Sequence, residues 1–242
     1  MALILSIETS TRNCSVALAR NGELLALKEH AEDSYTHAEE LHPFIQHVLQ
    51  SASCSLNQLD AVAVSKGPGS YTGLRIGVSA AKGLCYALNI PLLAIDSLSV
   101  LFNLTLALSK GEGRKSLTPT LSKGEGEDFD FIVPMIDARR MEVYTTTFTP
   151  SAEMISPIDA KIIDENFFLP FQNKRIGLCG DGAEKCRPFL NDGHKILPII
   201  FPSALGMIEF AEKAFAKKQF EDTAYFEPFY LKDFLPGKVK TQ

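Results

Sequence analysis

The chain has 242 residues, 24 Lys and Arg against 29 Asp and Glu, a formal net charge of −5 and 45% hydrophobic residues. That length fits one large domain or two small ones, and the composition is that of a globular protein rather than a disordered or fibrous one. The acidic balance, with no long basic run, excludes a non-specific grip on a phosphate backbone as the main activity, so contact with nucleic acid is expected only indirectly.

Five cysteines (Cys14, Cys54, Cys85, Cys179 and Cys186) are odd in number, widely spaced and form no Cys-x-x-Cys pair. They argue against a disulfide framework or a zinc knuckle and predict reduced, buried thiols. The opening MALILSIETS has no basic n-region, and Ser6 and Glu8 interrupt its apolar run. No run of about 18 apolar residues follows, so the expectation is a cytoplasmic protein without membrane contact.

In chain order, Leu3 to Ile7, Ser15 to Ala19 and Glu23 to Leu27 read as strands, and Asn21-Gly22 between the last two is a strong hairpin signal. Thr36 and Glu39 have capping-box spacing. Leu41, Phe44, Ile45, Val48 and Leu49 follow with helical periodicity, interrupted by Pro43. Leu59 to Ser65 reads as a buried strand, Gly73 to Asn89 as a second helix and Pro91 to Ile95 as a strand. On that second helix Arg75, Ser79, Lys82, Tyr86 and Asn89 share one side. The remaining arc is apolar or small (Gly73, Gly77, Ala80, Ala81, Gly83, Ala87), wider than one core contact needs, which predicts packing on two sides or a partner.

The hexamer LSKGEG occurs at 108–113 and again at 121–126. Its composition predicts a mobile insertion over 105–127, too short in repeats to be a solenoid. Phe131 to Ile136 and Glu142 to Phe148 read as strands joined by a charged turn at Asp137, Arg139 and Arg140. Lys174 to Cys179 reads as a strand entering Gly180-Asp181-Gly182-Ala183 and a helix. A further helix is expected within Phe201 to Lys217, and the aromatic tail Tyr225 to Leu235 is expected to dock.

Two constellations invite chemistry. Gly67, Gly69 and Gly73 in KGPGSYTGLRIG resemble a phosphate cradle, but their spacing fits neither the dinucleotide fingerprint nor the Walker loop, which favours a structural turn before a helix. His37, His42 and His47 lie on one helix at intervals of five. Five residues turn roughly 140° past a full circle, so neighbouring imidazoles cannot share an ion; solvated histidines on the polar flanks are the expectation. No Gly-x-Ser-x-Gly elbow is present.

Ile7-Glu8-Thr9-Ser10, KGPGSYTGLRIGVSAAKGL, Ile136-Asp137-Ala138-Arg139-Arg140 before Glu142-Val143-Tyr144, and Gly180-Asp181-Gly182-Ala183 occur in this order along nearly the whole chain. Together they resemble the TsaB (YeaZ) family, the non-catalytic subunit of the bacterial machinery that makes N6-threonylcarbamoyladenosine in tRNA. The resemblance implies an α/β fold of the actin, sugar kinase and Hsp70 (ASKHA) superfamily: two related domains with mixed five-stranded sheets, the second reduced. The expected division is 1–104, the insertion 105–127, and 128–242, with the helix near 201–217 packing back on the first domain.

The resemblance also implies partners: the catalytic paralogue TsaD, the ATPase TsaE and a second copy of the chain, with tRNA reached only through the complex. TsaD holds its metal on a His-x-x-x-His helix. His37 matches the first ligand and Leu41 replaces the second, while Thr11-Arg12-Asn13-Cys14 stands where TsaD has Cys-Asp-Glu-Thr. Hence no catalytic residue, metal or required cofactor is expected. Candidate partner-contact residues are His37, Glu40, Leu41, Phe44, Ile45, Val48, Gly77, Ala80, Gly83 and Ala87. Weak ATP or ADP contact is a candidate role for Glu8, Thr9, Ser10, Gly67, Gly69, Ser70 and Gly73. The rival reading is a nucleotide-binding enzyme of the same fold, phosphotransferase or metallopeptidase-like.

Overall fold

A computed structural model describes residues 2–31, 36–109, 129–198 and 201–232, with the backbone alone at 106–109. The first sheet contains β1 (Leu3–Glu8), β2 (Asn13–Arg20), β3 (Glu23–Ala31), β4 (Ala61–Gly67) and β5 (Leu92–Asp96), in the order β3-β2-β1-β4-β5. β1, β2 and β3 form an antiparallel meander, and β4 and β5 continue it in parallel. The second sheet contains β6 (Phe131–Asp137), β7 (Glu142–Thr145), β8 (Asp159–Ile162), β9 (Ile176–Cys179) and β10 (His194–Ile196). Read as β8-β7-β6-β9-β10, it repeats the first sheet's order and its pattern of antiparallel and parallel pairs. This duplicated mixed sheet is the ASKHA architecture.

Helices α1 (His37–Ser51) and α2 (Tyr71–Leu88) cover one face of the first sheet. α3 (Ser97–Ser109) and α4 (Ala204–Ala216) lie on the other side. Strand β1 is buried on both faces, which is why LILSIE reads as a continuous apolar run rather than an alternation. Leu3, Leu5, Ile7, Val62 and Val64 meet α1 and α2. On the opposite face Ala17, Ala19, Ala61 and Ala63 are small enough for α4 to sit close, burying Met207, Ile208 and Ala211. α3 joins the two halves: Leu98, Leu101, Phe102 and Leu104 pack with Ile132, Ile136, Phe148 and Cys179 of the second. The other face of the second sheet is closed by the short 3-10 helices Leu169–Phe171 and Ala183–Phe189 with their aromatic flanks, rather than by an α-helix.

The sequence reading missed α3, β8 and β10. SLSVLFNLTLALS is apolar almost all round because it is buried between both halves, so it carries little amphipathic signal. It also corrects the insertion boundary, since 105–109 continue this helix; the LSKGEG repeat from 110 onward lies outside the described residues. Three further readings differ in detail. Thr36 caps α1 without a capping box, its hydroxyl donating to Glu40 instead. β7 ends at Thr145, and the expected helix after Gly180-Asp181-Gly182 is a 3-10 turn containing Pro188. All five cysteines are free, four of them buried. Among the described residues no helix is long and apolar enough to cross a membrane.

Candidate functional site

The glycine loop closes onto the loop that follows β1. Glu8 ends β1 fully buried, its Oε1 accepting from the Ser10 amide (2.7 Å) and the Ser65 hydroxyl (2.9 Å). Burial pushes its carboxyl above the usual range, and those hydrogen bonds offset part of that rise. The Ser70 amide donates to the Ser10 carbonyl (2.7 Å), and the Thr9 hydroxyl donates to the Gly73 carbonyl (2.9 Å). The Ser70 hydroxyl accepts from the Gly73 amide (3.3 Å), so Ser70 is the N-cap of α2. The Ser70 and Gly73 amides at the start of α2 are thus taken up by the chain's own oxygens.

The three glycines that follow explain how the backbones come so near. A Cβ on Gly69 would overlap the Ser10 carbonyl oxygen, one on Gly73 the Thr9 carbonyl oxygen, and one on Gly77 the Thr9 hydroxyl. The loop thus serves close approach of a helix to a buried loop. Of the residues expected to contact a nucleotide, Glu8, Thr9, Ser10, Gly67 and Gly73 are buried, and Gly69 and Ser70 are half-exposed.

α1 requires a correction. His37 is buried, not solvated, with its Nε2 donating to the Thr11 carbonyl at 2.7 Å; desolvation holds its imidazole below the ordinary histidine range. His42 and His47 are exposed as expected. Leu41, Phe44, Ile45 and Val48 belong to the core under α1, and Gly77 is buried against Thr9. These side chains, with His37, are used within the chain and present no surface to a partner. Of the expected partner-contact residues Glu40 and Ala80 remain half-exposed, and Gly83 and Ala87 are exposed.

The outer face of α2 is unusual. Thr72, Arg75, Ser79, Gly83, Tyr86 and Ala87 face outward, and Tyr86 is 86% exposed. Among the described residues nothing lies within 4 Å of where a Cβ on Gly83 would be, and that residue does not have a positive φ. Neither a contact among the described residues nor the backbone geometry calls for glycine there.

A cluster of charged groups lies at the carboxyl end of β6. Asp137 has its amide on Asp181 (2.9 Å) and its carboxylate on the Lys185 ammonium (2.6 Å). Asp137 also accepts from the Arg139 amide, and Arg139 and Arg140 both adopt positive φ, as a tight charged turn requires. Desolvation pushes the Asp181 carboxyl up to about 6; the neighbouring Asp137 charge adds to that rise, while the Asp137 amide, Lys185 and Arg12 oppose it. Between about pH 4 and 6 the folded chain keeps a proton that the unfolded chain has released, so Asp181 makes stability fall as pH rises through that window. Asp181→Asn keeps the acceptor for the Asp137 amide and removes the titration. Urea unfolding at pH 4, 5, 6 and 7 should show the variant gaining on wild type with rising pH, by about 3 kcal/mol at pH 7, at roughly 1.4 kcal/mol per pKa unit.

Sequence reasoning missed the contacts of the tail. Lys82 holds the carbonyls of Ala224 (3.1 Å) and Phe226 (2.9 Å), and Lys232 pairs with Glu142. The only signal was the aromatic composition of Tyr225 to Leu235, which suggests docking but names no acceptor.

Comparison with known proteins fits this geometry. A family model described as "TsaD: tRNA N6-adenosine threonylcarbamoyltransferase" matches residues 31–170. The tRNA threonylcarbamoyladenosine biosynthesis protein TsaB of Haemophilus influenzae is 29% identical over 97% of this chain and 95% of its own length. TsaB of Bacillus subtilis is 31% identical over 79% of this chain and 70% of its own. The solved structure of YeaZ from Pseudomonas aeruginosa superposes with a TM-score of 0.76 at 25% identity, covering 96% of this chain and all of that one. Matched over nearly its whole length by these relatives and superposing on a solved structure, the chain belongs to the TsaB family of tRNA threonylcarbamoyladenosine biosynthesis proteins.

Proposed function

We propose that this chain is a scaffold subunit of the threonylcarbamoyladenosine-forming assembly. It docks a catalytic paralogue of the TsaD type through the outer face of α2 and the exposed flank of α1. The same region pairs two copies of the chain when the paralogue is absent, and TsaE joins the assembly. The chain makes no covalent contribution, and tRNA is reached through the complex.

The observation that carries this reading is Gly83. A glycine inside a helix costs about 1 kcal/mol relative to alanine, and no contact among the described residues requires one here. Its use therefore lies outside the chain: beside exposed Tyr86 and Ala87 it lets another backbone approach closely, and tyrosines are common anchors of protein interfaces. His37 supports the non-catalytic half of the reading. It is engaged with the Thr11 carbonyl, and Leu41 one turn on is core, so this helix presents no ligand pair.

Reconstitution with TsaD, TsaE, tRNA and the small substrates tests it. Omitting this chain should abolish modification of the tRNA; robust modification in its absence would contradict the proposal.

A further inference from the structure

The two halves repeat one strand order, so each element that covers the first sheet has a counterpart on the second. In the first half the chain leaves β3 into α1, whose 15 residues bury Leu41, Phe44, Ile45, Val48 and Leu49 over the sheet. In the second half it leaves β8, the counterpart of β3, and forms on the equivalent face only the 3-10 helix Leu169–Phe171, of 3 residues. One such turn cannot cover what about four turns of α-helix cover. The shortfall is a hollow of about 210 Å³ bounded by β6, β7, β8 and that turn.

The hollow has an apolar body and a polar side. Phe131 and Val133 of β6 line it together with the Phe167 and Phe171 rings, Phe131 and Phe171 meeting edge to face at 6.2 Å. Lys161 stands opposite Val143 in the register of β7 and β8, and directly opposed residues share a face of the sheet. Its side chain therefore lies on the side of the sheet where Val143 and Val133 pack, and it lines the hollow, as does Thr147. Among the described residues neither the Lys161 ammonium nor the Thr147 hydroxyl has a hydrogen-bond or ion-pair partner, and no Asp or Glu lines the hollow.

We propose that this hollow is a binding site for a small monocarboxylate with an aromatic or branched aliphatic body, its acid group held by Lys161 and Thr147. An apolar cavity of about 150 Å³ accommodates benzene, so a single ring with a short acid arm suits the space. A cation without a counter-ion beside apolar surface favours an anion, and charge-assisted hydrogen bonds are the stronger kind. A lining without a carboxylate selects against amines and free amino acids, whose ammonium would lose water there and gain no partner. The site belongs to the second sheet and lies apart from α1 and α2, so it goes beyond the scaffold reading.

Titration of the full chain with phenylacetate, followed by amide NMR, tests this. Saturable shifts are expected at 131–133, 145–147, 161 and 171, with a dissociation constant of about 1 mM or tighter, an ordinary efficiency for a ligand of this size. Benzyl alcohol, similar in size but uncharged, should bind about fivefold more weakly, the upper range for one partly exposed charge pair. Lys161→Gln should weaken phenylacetate by the same factor and leave benzyl alcohol unchanged, and Lys161→Arg should keep wild-type affinity. Lys161 is exposed, so neither substitution should move the urea midpoint. Absence of saturable shifts, shifts at other residues only, equal binding of the acid and the alcohol, or undiminished binding by Lys161→Gln would each overturn the proposal. No partner protein takes part, so the scaffold reading stands or falls independently.

Discussion

Gly73→Val is expected to cost about 4 kcal/mol of folding stability, enough to leave the protein largely insoluble or to lower its urea midpoint severely. A Cβ at this position would overlap the Thr9 carbonyl oxygen, which is backbone and cannot rotate away. α2 must then lift from the loop after β1. Lifting breaks the bonds from the Thr9 hydroxyl to Gly73 and from the Ser70 amide to Ser10, and leaves buried polar groups unpaired. Overpacking typically costs about 1–3 kcal/mol and an orphaned buried polar group about as much again, against a total stability of roughly 5–15 kcal/mol. Gly83→Ala on the same helix is the control, expected to raise stability by about 0.5–1 kcal/mol because its Cβ meets open space.

The second large effect is at the contact between α3 and α4. A Cβ on Gly206 would lie 2.5 Å from the Val100 carbonyl oxygen and 2.8 Å from Leu104, and the Gly206 carbonyl already accepts from the Asn103 side chain at 2.9 Å. Gly206→Leu should force the two helices apart and draw Ala204, Met207 and Ile208 away from the alanine-rich face of the first sheet. The expected loss is about 3 kcal/mol, read by chemical denaturation, the usual range for overpacking with lost apolar burial. Little change would mean that α4 contributes far less to the fold than its buried face indicates.

The first sheet was legible because its signals are local. Asn21-Gly22 marks the hairpin, and the apolar runs of β1 and β4 are bounded by polar turns. The second half was harder for a physical reason: its outer face is closed by short 3-10 turns and aromatic residues, which have no helical period to detect. α3 escaped because a helix buried between two halves lacks a polar stripe. The glycine loop was legible as a turn but not as a lock, since only the fold reveals that Ser10 and Thr9 lie opposite Gly69, Gly73 and Gly77. His37 misled because the wheel of α1 treats it as a flank, whereas the Thr11 carbonyl draws it inward. Helical periodicity marks which side of a helix is apolar; it does not distinguish surface buried within the chain from surface left for a partner. That distinction moved Leu41, Ile45 and Val48 from interface to core and left Gly83 and Ala87 exposed.

Gly83→Arg is the most direct test of the scaffold account, because arginine is a better helix former than glycine and has open space to enter. The variant should unfold at or slightly above the wild-type urea concentration. Titrated calorimetrically into purified TsaD, it should bind at least tenfold more weakly than wild type, a loss of about 1.4 kcal/mol or more. Binding at wild-type affinity by a folded Gly83→Arg protein would contradict the assignment of the α2 outer face as the docking surface.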